Sequence, residues 1–330
     1  MYARRNAFRE LIHHDSIAPA DVEAALRVVA IRPTPAQWAR FVGTLLTWLA
    51  AVCAASAVVF FIAYNWDSMG RFGKFALIQC LLIGSIVGVV WAHAKRPHLV
   101  PPLLFVGCVL VGVLLALVGQ TYQTGADPWQ LFAVWAVLIL PWVMISRFAP
   151  LWLFWLLLVN VAVVLFAQAD PFGLVWFNDL AVFWQLFLLN ISAQLIWEWL
   201  RPRVRWLERR WWPRIIAVLA GTAVSVMALT QTLSLPQFGW ELAVWAAWAA
   251  ATYLVYTRLC RDLFLLSGLS LSVLVVGLTL VARGLLPVLE EAGFALLSLL
   301  ALGGGVMAAL WLRRLHAEWS AEWSAEWSNE

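Results

Sequence analysis

Charge is scarce in this chain. Asp, Glu, Lys and Arg together make up 12% of 330 residues, about half of what a soluble surface carries. Mean hydropathy is +0.85, and 64% of the residues are hydrophobic. The few charges are also segregated. No Asp, Glu, Lys or Arg occurs within 41–66, 75–94, 97–126, 128–146, 148–169, 180–197, 215–240, 242–257, 263–282 or 292–312. A helix needs about 20 apolar residues to cross the hydrocarbon of a bilayer, and most of these runs reach that length. They do not alternate polar with apolar, which excludes the strand pattern of a membrane β-barrel. The composition therefore predicts an all-α, polytopic helical membrane protein with ten transmembrane helices, 242–257 being the shortest.

Cysteine is also sparse. Cys53, Cys80, Cys108 and Cys260 lie in or beside the apolar runs with no CxxC pair, so neither a disulfide framework nor a metal site is indicated. All five His (His13, His14, His93, His98 and His316) fall on the inner side, at the inner ends of the runs or beyond them, and no HExxH, P-loop, GxSxG or GxGxxG pattern occurs. No catalytic set and no cofactor site is legible. No charged residue lies deep in a run, as the relay of an ion-coupled pump would require.

What charge there is sets sidedness. Placing the N-terminus in the cytoplasm puts 19 Lys and Arg in inner segments and three, Arg71, Lys74 and Arg283, in outer ones. Basic residues favour the cytoplasmic side of short loops, so both termini are expected to be cytoplasmic. The net charge of +4 then reflects topology, and no nucleic-acid partner is implied. Residues 1–40 read as a short cytoplasmic helical region, with Val22, Ala25, Leu26 and Val29 on one helical face. They lack the apolar core and cleavage site of a signal peptide. Thr34-Pro35 reads as the cap and first position of the helix that leads into the first span. The transmembrane domain then covers 41–313 and a Trp-containing tail 314–330. In that tail AEWSAEWSAEWSNE repeats Trp319, Trp323 and Trp327; the repeat either extends the last helix or is left by duplication of a short coding stretch.

Two polar inserts interrupt the apolar runs, NWDSMGRFGK at 65–74 and GQTYQTGADP at 119–128. Both fall on the outer side. They suggest one outward-facing polar pocket built by Asn65, Asp67, Gln120, Thr121, Tyr122 and Asp127, flanked by Trp66 and Trp129. The outer acids Asp67, Asp127, Asp179 and Glu241 could act in acid–base chemistry, hold a cation or cap helices. Asp127 before Pro128 suits a cap. A partial internal repeat relates 117–135 to 228–245. Gln120, Thr121, Trp129 and Leu131 match Gln231, Thr232, Trp240 and Leu242, each 111 residues on, and repeats of this kind are common in transporters.

Deeper in the bilayer, Asn160 and Asn190 fall near the middle of consecutive spans. An unpaired amide in hydrocarbon costs several kcal/mol, so the two are expected to bond to each other, with Gln194 in reserve. The small residues Gly84 and Gly88 suit close helix approach and a homo-oligomer or other membrane-protein partner. On the inner side EWLRPRVRWLERRWWPR carries Arg201, Arg203, Arg205, Arg209 and Arg210 among Trp residues. This suits contact with membrane lipids at an anionic leaflet, although an ordinary positive-inside loop looks the same.

The runs VVFFIAYNWDSMGRFGKFALIQ and LALVGQTYQTGADPWQLFAVWAVLILPWVMISRFAPLWL resemble a bacterial family of predicted integral membrane proteins. This is the domain-of-unknown-function family number 2157, and the resemblance covers about residues 8–165. Ala18 stands where the family's pattern has a capping Ser or Thr. The resemblance implies a multi-pass protein of the bacterial cytoplasmic (inner) membrane and supplies no activity. The expectation is then a non-enzymatic binding or assembly component with an outward polar pocket. The alternative is a transporter or channel for a small solute or lipid, and a third reading is a membrane enzyme using outer carboxylates.

Overall fold

The structure, a computed structural model, describes residues 34–65, 67–169, 180–207, 211–234 and 239–328. It is a helical polytopic membrane protein, and no strand occurs among the described residues. A helix satisfies its own backbone hydrogen bonds, which hydrocarbon cannot do for it, so the uncharged runs become helices. They are α1 (Pro35–Tyr64), α2 (Arg71–Lys95), α3 (Val100–Tyr122), α4 (Pro128–Ser146), α5 (Ala149–Ala169) and α6 (Ala181–Leu200), followed by α7 (Trp211–Ser234), α8 (Trp240–Leu254) and α9 (Leu263–Ser328). Short 3-10 segments at Pro97–Leu99 and Arg205–Leu207 and a π segment at Val255–Leu259 complete the order.

The chain divides into two units. One comprises residues 1–54 with 313–330, the other 55–312. In the first, Thr34 opens α1 as expected: its Oγ1 accepts the Gln37 amide at 3.2 Å, and Gln37 Oε1 accepts the Thr34 amide at 3.0 Å. This is a reciprocal capping box. The expected helix over 22–29 lies outside the described residues. At the other end α9 stays helical through the AEWS repeats as far as Ser328.

The larger unit is a series of antiparallel neighbours. The most extensive packing joins α2 with α3, α4 with α5 and α6 with α7. One core links α3, α4 and α5 through Cys108, Ile139, Val143, Leu151 and Leu158. A second links α6 and α7 through Phe187, Ala220, Val224 and Met227, with Trp245 and Trp248 of α8 against it.

Among the described residues, eight helical segments are long and apolar enough to cross a membrane: α1 to α5, α7, and two within α9, Leu263–Leu285 and Ala292–Glu322. Two of the ten expected spans fall short of that standard. The α6 segment carries buried Asn190 and Gln194, and α8 has only 15 residues before the π segment continues it. The polar side chains Asn190, Gln194 and Glu241 of these two helices are buried against their neighbours.

Residues 283–291 were expected as an outer loop. The backbone is instead helical from Leu263 to Ser328. Straight, 66 residues would extend about 99 Å. Yet the Leu274 side chain fills the space that a Cβ on Gly304 would occupy, and a straight helix would hold these positions about 45 Å apart. Trp311 likewise stacks on Tyr253, centroids 6.0 Å apart. The chain therefore turns back between the two arms while keeping helical hydrogen bonds, and Pro287 lies in the turn. A proline bends a helix because it lacks one amide hydrogen and crowds the preceding turn.

Many of the tryptophans are internal knobs, not only members of an interfacial belt. Trp135 fills the space beside Gly112, Trp142 lies 2.8 Å from where a Cβ on Gly107 would stand, and Trp248 lies 3.0 Å from that of Gly221. Two indole N–H groups use second lone pairs of helix carbonyls. Trp135 Nε1 donates to Cys108 O at 2.7 Å and Trp155 Nε1 to Ala136 O at 3.0 Å. Close approach was expected instead at Gly84 and Gly88. Gly84 has open space around it, and Gly88 makes only ordinary contact with Leu103 at 3.5 Å. It is Ser85, between them, that is buried, lying 3.0 Å from the Cβ position of Gly107.

Candidate functional site

The two polar inserts emerge at one end of the larger unit. The first follows α1, where Asn65 Nδ2 donates to Phe61 O at 2.9 Å and the Met69 amide closes the turn onto Asn65 O at 3.0 Å. Asn65 is half-buried and Asp67 exposed; Trp66 lies outside the described residues. The second insert follows α3. Gln123 (φ 44) and Gly125 (φ 63) both adopt the left-handed backbone, the usual way of ending a helix. Asp127 then takes the N-cap position before Pro128, although its carboxylate makes no cap hydrogen bond. Gln120, Tyr122 and Asp127 are exposed and Thr121 half-buried. Ring contacts bring these helix ends together: Phe75 of α2 meets Tyr122 at 6.1 Å, and Trp129 meets Phe166 of α5 edge-on at 5.1 Å. The six residues thus occur at one end of the bundle, most of them open to the surroundings.

A second polar group stands at the matching ends of α7, α8 and α9, and it is covered. Gln231, Thr232 and Glu241 are 2%, 1% and 6% exposed. Arg283 Nη1 donates to Thr232 O at 2.9 Å, and Thr232 Oγ1 donates to Ala228 O at 2.7 Å. The Glu241 carboxylate and the Gln231 amide both crowd the face of Gly239 where a Cβ would stand, so a larger residue there would displace their ends. Trp184 stacks on Trp240 beside it, centroids 4.4 Å apart. Sequence reasoning singled out Glu241 as an outer acid and aligned Gln231 with Gln120, yet did not join them into one group. Its signals were Arg283, one of three outer-side basic residues, and an acid one residue past the end of an uncharged run.

At mid-helix the structure brings Asn160 of α5 and Asn190 of α6 together. Asn190 Nδ2 donates to Asn160 Oδ1 at 2.6 Å, and Asn160 Nδ2 donates back to Asn190 Oδ1 at 3.3 Å. Each Nδ2 also donates to the carbonyl four residues earlier, Leu156 and Leu186, both at 2.8 Å. Gln194 turns elsewhere, its Nε2 donating to the Tyr256 hydroxyl at 2.8 Å. Tyr256 lies in the π segment, a geometry frequent at functional sites. Further along, Ser225 and Ser272 hydroxyls meet at 2.6 Å and Trp245 Nε1 donates to Ser272 Oγ at 3.0 Å.

The opposite end of the bundle carries the arginines. Arg201 pairs with Glu198 at 2.9 Å. Arg203 lies over the Trp199 ring at 4.2 Å and donates from Nη1 to Trp199 O at 2.6 Å. Arg214 pairs with Asp262 at 2.9 Å and lies over the rings of Trp211 and Phe264. The Arg205 side chain, and Arg209 and Arg210 altogether, lie outside what is described.

Residues 9–152 match the model of a family described as a predicted membrane protein, DUF2157. The similarity is thus to a membrane-protein family without an assigned activity. Comparison with curated proteins and with solved structures finds no match. The DUF2157 match ends at residue 152, short of the residue 165 expected from the sequence. It takes in both polar inserts and α1 to α4. The amide pair, the covered Gln231–Glu241 group and the arginine-bearing segment all lie beyond it.

Proposed function

We propose that this protein is a non-enzymatic binding or assembly component of the bacterial inner membrane, contacting its partner through the polar end that carries Asn65, Asp67, Gln120, Thr121, Tyr122 and Asp127. The observation that carries this reading is the amide pair. Asn160 and Asn190 direct their Nδ2 groups to each other and to their own helices, so neither has an N–H left to offer a passing solute. That arrangement supports a clamp between helices over a solute path. Four of the six residues at the polar end, Asp67, Gln120, Tyr122 and Asp127, are exposed, where a partner can reach them. Pro128 fixes the backbone where the second insert enters α4, and preorganised surfaces bind at lower entropic cost.

The test is site-specific photo-crosslinking in native membranes. Photoreactive residues at Asp67, Gln120 and Asp127 should give a discrete adduct, and the same residue at exposed Leu195 should give none. Reconstituted vesicles should show no solute flux above protein-free vesicles. Flux that disappears on replacing Asn160 with Leu would favour the transporter reading instead.

A further inference from the structure

We propose that Arg203 and Trp199 form a seat for the phosphate of an anionic glycerophospholipid at the arginine-bearing end of the bundle. Charge accounting selects Arg203 among its neighbours. Arg201 and Arg214 each have a carboxylate partner, which cancels their charge locally. Arg203 makes contact with no carboxylate among the described residues; its partners are the Trp199 ring and the Trp199 carbonyl. One N–H of its five-donor fork is used on that carbonyl, and the planar fork matches a phosphate bidentately. The stacking and the hydrogen bond hold the guanidinium in place, which lowers the rotamer entropy lost when an anion binds.

The tryptophan identifies the source of the phosphate. Trp199 is 61% exposed, and an exposed indole at a helix end belongs at headgroup depth, with its ring along the upper acyl chains. A free phosphate ion would gain nothing from that ring, whereas a phospholipid contacts ring and guanidinium together. The site is independent of the insert face and of the reading proposed for it.

Native mass spectrometry of the purified full-length protein tests this, after equilibration with phosphatidylglycerol and phosphatidylcholine in equal amounts. The protein should retain phosphatidylglycerol preferentially. Arg203→Gln should lower that retention about fivefold, the equivalent of the roughly 1 kcal/mol a basic residue contributes at an anionic surface. Arg203→Lys, which keeps the charge but loses the fork, should fall between. Arg71, which lies over Phe72 at 4.8 Å at the other end of the bundle, supplies the control: Arg71→Gln should leave retention unchanged. Thermal unfolding of the Arg203 variants should match the parent, since both side chains are exposed. Equal retention by Arg203→Gln, an equal loss in Arg71→Gln, or no preference over phosphatidylcholine would overturn the assignment. Displacement of the lipid by millimolar inorganic phosphate would reassign the seat to a free anion and overturn it as well.

Discussion

The stretches around Gln120-Thr121 and Gln231-Thr232 are alike in sequence, and the molecule treats them differently. Each ends a helix, and each is followed by a tryptophan that opens the next, Trp129 or Trp240. Gln120 is exposed, while Gln231 and Thr232 are almost fully covered. Trp129 meets Phe166 by its edge, whereas Trp240 stacks face to face on Trp184. The difference lies in what stands above them. Glu241 of α8 and Arg283 of α9 close over the second stretch, whereas Gln120 of the first stays open. A polar helix end becomes surface or interior according to its neighbours. The same residues can therefore present a binding face at one place and a packed lock at another.

Four experiments bear on this contrast. The largest effect is all-or-none. Arg283 reaches Thr232 from the arm of α9 that leads into its turn. Cysteines replacing Leu274 and Gly304 should form a disulfide on mild oxidation, read as a mobility shift after cleavage between the arms. A straight α9 would give none. Next come the glycines beneath the tryptophans, one in each half. Gly112→Ala forces Trp135 out of its place and breaks its bond to Cys108 O, so it should cost about 2 to 3 kcal/mol as overpacking. Gly221→Ala meets Trp248 only at the limit of contact and should cost less than about 1 kcal/mol. Thermal unfolding in detergent measures both, and equal costs would mean that the two halves pack alike.

Third, Gln231→Ala should lose about 1 to 3 kcal/mol, as expected where a buried polar group is removed from its neighbours. Gln120→Ala should stay within about 0.5 kcal/mol, as exposed substitutions do. A large effect at Gln120 would make the first stretch interior as well. The smallest effect is expected at the amide pair. Asn160→Leu and Asn190→Leu should each cost about 0.6 to 2 kcal/mol, the range for hydrogen bonds between membrane helices. The double variant should cost less than the sum, because the second change removes an amide already left alone.

The pairing of Asn160 with Asn190 was legible before any coordinates, because few polar groups lie at that depth and consecutive helices are usually neighbours. The helix start at Thr34 was legible for a similar reason: a capping box is local, involving residues three apart. The exposed inserts could also be read, since Asn, Asp and Gly between apolar runs mark turns. The covered group at Gln231 and Glu241 was not. It assembles residues from α7, α8 and α9, and no spacing along the chain announces that Gly239 leaves room for a carboxylate and an amide at once. The packing of the tryptophans was not legible either, because the partner that makes Trp135 internal is Gly112 on another helix.

What the sequence by itself determined is the solvent this chain lives in. Long uncharged runs have no stable alternative to helices in hydrocarbon, because their backbone polar groups find no other partners there. The number of such runs sets the polytopic plan. What only the tertiary structure decided is which polar and aromatic side chains are hidden. That depends on the space between helices: bare glycines that admit Trp135 and Trp248, a first arm of α9 that delivers Arg283 to Thr232, and a turn at Gly239 that leaves room for Glu241. Burial is a property of pairs of surfaces, and the partner surface is written elsewhere in the chain.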